Sequence, residues 1–206
     1  MKLNKDFSKL ADSKTIAKVI SALEGNGIKA LVAENGNEAK KKVLSILPEG
    51  AEVFTMTSQT AEGISLAKTI NESKKYNSVR NKLMAMDRNT QNREMAKLGA
   101  TPEFVIGSVH AVTEDGQLLI ASASGSQLPA EAYSAGKVVF LVGTQKIVKD
   151  LQEGLKRIYE YSYPLEDERA QKAYGMRSGV NKILIINKEM TPGRITVILI
   201  KENLGF

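Results

Sequence analysis

The chain has 206 residues, 42% hydrophobic and 25% charged, with a net charge of +6. That suffices for one core of a globular domain and excludes a low-complexity chain. Cysteine is absent, which excludes disulfides, a thiol nucleophile and any zinc or iron–sulfur site built on this chain's thiolates.

No run approaches the roughly 18 apolar residues of a membrane span. Met1-Lys2-Leu3-Asn4-Lys5-Asp6-Phe7 lacks the apolar core of a secretory signal, so a cytoplasmic protein is expected. Lys40-Lys41-Lys42, Lys74-Lys75 and the region 80–97 hold many of the positive charges. Nucleic-acid binding asks for basic residues interleaved with aromatics. Aromatics are only 5% and tryptophan is absent, so the lysines read as solvated helix faces.

In chain order, Asp12–Leu23 predicts an amphipathic helix, with Ile16, Val19, Ile20 and Leu23 on one face and Gly25 and Gly27 ending it. Ile28–Ala33 is a short strand. Asn37–Leu47 is a helix closed by Pro48. Ala51–Thr57 is a strand, and Ser58-Gln59-Thr60 opens a helix through Ile70. Residues 79–98 form a long or broken helix ended by Pro102. Phe104–Thr113 and Gln117–Ser122 flank Glu114-Asp115-Gly116, a strong hairpin signal. Gln127–Ala135 is a short helix, Lys137–Val142 a strand, and Val148–Tyr161 a helix with Leu151, Leu155 and Ile158 inward. Residues 162–177 are the least patterned and read as an excursion over the sheet edge. Asn181–Asn187 and Arg194–Lys201 are the last strands, joined by the turn Met190-Thr191-Pro192-Gly193. Strands alternating with helices predict an α/β fold: a single domain with a mixed, mostly parallel sheet flanked by helices.

Three strand ends run into polar, flexible segments: Thr57-Ser58-Gln59-Thr60, Ser124-Gly125-Ser126-Gln127 and Gly143-Thr144-Gln145-Lys146. On parallel strands all three fall on one carboxyl edge and converge on one crevice. Hydroxyls and helix N-terminal amides suit an anion, and Lys146 adds a positive charge. The candidate ligand-binding residues are therefore Ser58, Thr60, Ser124, Gly125, Ser126, Gln127, Gly143, Thr144 and Lys146. Helix capping alone also explains such residues. His110, the only histidine, Glu114 and Glu166 are the candidate acid/base groups. One histidine cannot make a multi-histidine metal site, and no metal site is expected. Dinucleotide-binding, P-loop, zincin and serine-hydrolase motifs are absent.

The second half of the chain resembles the LUD (lactate utilisation) domain family. The resemblance rests on Val105-Ile106-Gly107-Ser108, on 111–116 through the hairpin, on 121–129, on Val142-Gly143-Thr144-Gln145-Lys146-Ile147-Val148, on Pro164-Leu165-Glu166-Asp167-Glu168-Arg169, and on Leu204-Gly205-Phe206. The first half matches more loosely, through Thr57-Ser58-Gln59-Thr60 and the helix after it. The resemblance implies a NagB/RpiA/CoA-transferase-like fold over 1–206. Residues 1–50 would supply a helical part and the first strand, and 51–206 the main sheet. It also implies a role in bacterial lactate oxidation beside iron–sulfur partner proteins, with no cofactor in this chain itself. The first functional expectation is thus an accessory or substrate-binding subunit for a small anionic metabolite. The alternative is a free-standing enzyme on a phosphorylated or CoA-linked metabolite. The third is a basic nucleic-acid or regulatory binder. Oligomeric state stays open, a homo-oligomer included.

Overall fold

The computed structural model describes residues 3–206. In chain order the elements are α1 (Ser13–Gly25), β1 (Lys29–Ala33), α2 (Gly36–Ile46), β2 (Glu52–Thr55), α3 (Gln59–Gly63), α4 (Leu66–Glu72), β3 (Asn77–Ser78), α5 (Val79–Ala85), α6 (Asn92–Ala100), β4 (Phe104–Gly107), β5 (Ala111–Thr113), β6 (Leu118–Ser122), β7 (Lys137–Gly143), β8 (Ile147–Val148), α7 (Leu151–Arg157), α8 (Tyr163–Tyr174), β9 (Lys182–Ile186) and β10 (Ile195–Ile200).

Six strands form a wholly parallel sheet in the order β1-β10-β7-β4-β2-β3. The antiparallel pairs are segregated into a second sheet of four strands, β8-β5-β6-β9. Pleating sends alternate residues of β7 to opposite faces. Val138, Phe140 and Val142 pack with α1, α5 and the second sheet, while Val139 and Leu141 pack with α2, α3 and α4. The outer face of the second sheet is closed by Ile158, Leu151 and Leu155 against Ala111, Leu119 and Ala121. Central strands buried on both faces are near-continuous apolar runs, as expected of a parallel sheet, with Thr196 the buried polar exception in β10. β10, Ile195–Ile200, is fully buried.

Several expectations are corrected. Phe104–Thr113 is not one strand: the chain leaves the main sheet after Gly107 and enters the second at Ala111. The last two strands do not pair with each other; β9 joins the second sheet and β10 sits between β1 and β7. The second polar junction ends β6, in the second sheet rather than the parallel one. The third leads through a 3₁₀ turn, Thr144–Lys146, into a strand rather than a helix. Of the two forms expected for residues 79–98, the broken helix is the one present, as α5 and α6. The short helix expected at Gln127–Ala135 is present over 128–134, with Ala130–Ser134 as a π-helix. The stretch 162–177 is mostly helix, with Pro164 in its first turn where its missing N–H costs nothing.

The Glu114-Asp115-Gly116 hairpin is present, and Gly116 takes φ +79°. A Cβ there would stand 2.8 Å from the Ala22 carbonyl carbon and 2.9 Å from the Leu23 nitrogen. Gly116→Ala is therefore expected to destabilise by about 2 kcal/mol or more, through left-handed strain plus a clash with α1. Urea denaturation reads this. An unchanged midpoint would mean that the hairpin does not bear on α1.

Candidate functional site

A cleft of about 1000 Å³ lies between the carboxyl edge of the parallel sheet and the second sheet. Its floor is the crossover Ser108-Val109-His110, where the chain passes from one sheet to the other. Leaving a ladder frees backbone carbonyls, which then need donors. Two cations supply them.

Lys146 is only 2% exposed. Its Nζ donates to Thr60 Oγ1 at 3.1 Å, Ser108 Oγ at 3.0 Å and the Val109 carbonyl at 3.2 Å. The hydroxyls spend their own protons elsewhere: Thr60 donates to the Leu204 carbonyl at 3.1 Å and Ser108 to the Leu141 carbonyl at 2.6 Å. Both oxygens are thus free to accept, and all three N–H groups of an ammonium are satisfied. No carboxylate neutralises it among the described residues. Burial, and then Arg157, hold its pKa well below the ordinary lysine value.

Arg157 is fully buried. It donates from Nη1 to the His110 carbonyl and to Ser162 Oγ at 2.9 Å, and lies 5.0 Å over the Tyr161 ring. Its Nε and Nη2 have no partner. Burial brings its pKa down to about 10. The two cations therefore grip consecutive carbonyls, those of Val109 and His110.

His110 Nδ1 accepts from the Ala121 N–H at 3.1 Å, which leaves the ring proton on Nε2. Burial, Lys146 and Arg157 push its pKa down to about 3. At neutral pH it is an uncharged N–H donor rather than a proton carrier.

The three polar junctions meet at this cleft in part. Ser58, Thr60, Ser124, Ser126, Gln127, Lys146, His110 and Glu166 line it; Gly125, Gly143, Thr144 and Glu114 do not. Ser58 caps α3 by accepting from the Ala61 N–H at 3.3 Å. Ser124 and Ser126 bond each other at 3.0 Å at the exposed rim, and Gln127 Oε1 accepts from Ser122 Oγ at 3.0 Å. Gly125 turns at φ +83°, packed on Lys182. Gly143 packs behind the floor, where a Cβ would meet Gln145 Oε1, and Thr144 Oγ1 is buried without a partner. Glu114 is ion-paired with Lys18 at 2.8 Å on the hairpin. Glu166 is held bidentate by Arg169, both bonds 2.7 Å, so its charge is already matched.

Sequence reasoning missed five residues of this region: Arg80, Ser108, Glu131, Arg157 and Phe206. Arg80 is fastened to the Thr55 carbonyl by Nε and Nη2, at 2.9 and 2.6 Å. Arg157 carried a weak signal: three residues after Gly154, it shares that glycine's buried face of α7. Glu131 is 1% exposed, its Oε2 has no partner, and burial pushes its pKa up to about 8. Among the described residues no group of histidines and carboxylates could hold a metal ion, and no helix is long and apolar enough to cross a membrane.

Against known proteins, the family model described as the LUD domain matches residues 16–200. The crystal structure of a DUF162 family protein from Deinococcus radiodurans superposes with a TM-score of 0.58 at 11% identity, covering 93% of this chain and 99% of that one. The eIF2B beta and delta structures from Chaetomium thermophilum align more weakly. Their TM-scores are 0.40 and 0.35 and their identities 17% and 14%; 70% and 69% of this chain match 46% and 54% of theirs. No curated protein matches the sequence. The match runs from α1 to the end of β10, across both sheets and the crossover between them, and the chain belongs to the LUD domain family.

Proposed function

We propose that this chain is the substrate-binding subunit for a small anionic metabolite in lactate utilisation, working beside iron–sulfur proteins. The carrying observation is the cleft floor: two buried cations, Lys146 and Arg157, flank a neutral histidine with no carboxylate to match them. Buried charge without a counter-ion is costly, and an anion accepting from His110 Nε2–H, above the two cations, supplies the missing charge. Family membership supports lactate utilisation as the setting. With no cysteine in this chain, thiolate-ligated clusters and the electrons they carry belong to partners.

The test is titration calorimetry with lactate and pyruvate, with the chain alone and reconstituted with iron–sulfur proteins of lactate oxidation. Binding that tightens in the complex is the expected result. No heat with either acid in either setting removes the reading.

The cleft also favours a second reading. About 1000 Å³ exceeds what a three-carbon acid fills, and Arg80, Arg88 and Arg169 stand in its wall. A phosphorylated or CoA-linked metabolite would use that space, with this chain as a free-standing enzyme. Larger thermal stabilisation by sugar phosphates or CoA esters than by lactate would select this reading.

A further inference from the structure

Two carboxylates stand in the cleft wall, and the protein treats them oppositely. Glu166 is tied to Arg169. Glu131 has no cation among the described residues, although one is near. Arg194 donates from Nη2 to the Glu131 backbone carbonyl at 3.1 Å, yet its ion pair goes to Glu189 at 2.6 Å. The Glu131 main chain is fixed at both ends, because its N–H also donates to the Gln127 carbonyl at 3.2 Å. The side chain is held by packing alone, 1% exposed, with Oε2 unpartnered.

The carboxyl lies over the end of β4. A Cβ on Gly107 would stand 3.5 Å from Glu131 Oε1 and 3.4 Å from Met56 Cγ. The next residue, Ser108, is held by Lys146, and it lines the same cleft as Glu131. A carboxyl in such surroundings keeps its proton at neutral pH; burial raises its pKa to about 8. It is then an O–H donor, and its Oε2 is buried with no hydrogen-bond partner among the described residues.

We infer that Glu131 reads the ligand by donating a hydrogen bond to an uncharged oxygen beside the ligand's anionic group, which selects 2-oxo and 2-hydroxy acids over unsubstituted carboxylates. This rests on the reading of the floor as an anion site. The division of labour is chemical. Lys146 and His110 favour the charged end, and Glu131 rewards a neighbouring carbonyl or hydroxyl. A site with a buried donor rejects analogues that lack the matching oxygen, because the donor is then left unpaired.

The experiment is calorimetry with pyruvate, lactate and propionate, and with the six-carbon 2-oxo, 2-hydroxy and unsubstituted acids, on wild type, Glu131→Gln and Glu131→Leu. Wild type is expected to favour the oxygenated acids about tenfold or more at pH 7. Glu131→Gln, which keeps a donor, retains that preference. Glu131→Leu loses it, so that the three acids of a series bind alike. Above pH 8 the wild-type preference fades and that of Glu131→Gln persists. Discrimination that survives in Glu131→Leu, or is absent from wild type, overturns the role of Glu131 and leaves the anion site standing. If no acid of either series binds wild type, the anion site falls and Glu131 with it.

Discussion

Lys146→Met is expected to weaken anion binding about 10- to 100-fold while leaving the fold intact. The affinity loss is electrostatic, since the N–H groups of Lys146 are all given to the protein: removing a buried positive charge close to the anion costs on the order of 1–3 kcal/mol. The stability expectation rests on what each acceptor keeps. Thr60 Oγ1 still donates to the Leu204 carbonyl and Ser108 Oγ to the Leu141 carbonyl. The Val109 carbonyl is the one acceptor that loses its donor, because the single Ser108 proton already goes to the Leu141 carbonyl at 2.6 Å. Methionine fills most of the lysine's volume, and replacing a buried charge by an apolar group of similar shape is often neutral or stabilising. Calorimetry and thermal melts on one preparation separate the two quantities. A collapse of the melting temperature with unchanged anion affinity would show Lys146 to be a structural clamp for Thr60, Ser108 and Val109.

The same lysine shows where the sequence was informative. A basic residue in a Gly-Thr-Gln-Lys segment after an apolar run pointed to the carboxyl edge of a strand, and Lys146 lies there. Local pattern could not distinguish a helix after that strand from the 3₁₀ turn and short strand that follow it. The 3₁₀ turn ends on the lysine, and its side chain is buried beneath the floor. Phe104–Thr113 failed for a related reason. Apolar periodicity continues through Ser108-Val109-His110, because both sheets bury the segment, so the pattern carries no mark of the change of sheet. The only local sign was Gly107-Ser108 inside an otherwise apolar run. Glu131 left no sign, since a glutamate in a short polar turn looks solvated. Its burial depends on Met56, Gly107 and the closure of the second sheet, which are tertiary facts. The Asp-Gly hairpin was legible because its geometry is set by residues within the turn itself.

Glu131→Gln is expected to stabilise the protein by about 3 kcal/mol at pH 7 and to remove the downward slope that the carboxyl gives the stability profile between about pH 5 and 8. The native carboxyl titrates near 8, against 4.5 for the ordinary group. A native pKa above the unfolded one means that the folded state binds more protons, so stability is full below 4.5 and falls as pH rises through 8. At pH 7 nearly 2.5 units of that window have been crossed, at about 1.4 kcal/mol per unit. The other two groups of the floor slope the opposite way. His110 is depressed to about 3 from 6.5, so stability is lost as pH falls below 6.5. Lys146 is depressed from 10.5, so its burial penalty eases as pH rises toward that value. Above neutrality Glu131 and Lys146 therefore oppose each other, and the wild-type profile alone cannot separate them. Urea midpoints from pH 5 to 9 in wild type, Glu131→Gln, Lys146→Met and the double variant can. Glu131→Gln should become more stable than wild type as pH rises, and Lys146→Met should lose the compensating upward slope. If Glu131→Gln tracks wild type throughout, the carboxyl is ionised in the native state, and the neutral donor that reads the ligand's second oxygen does not exist.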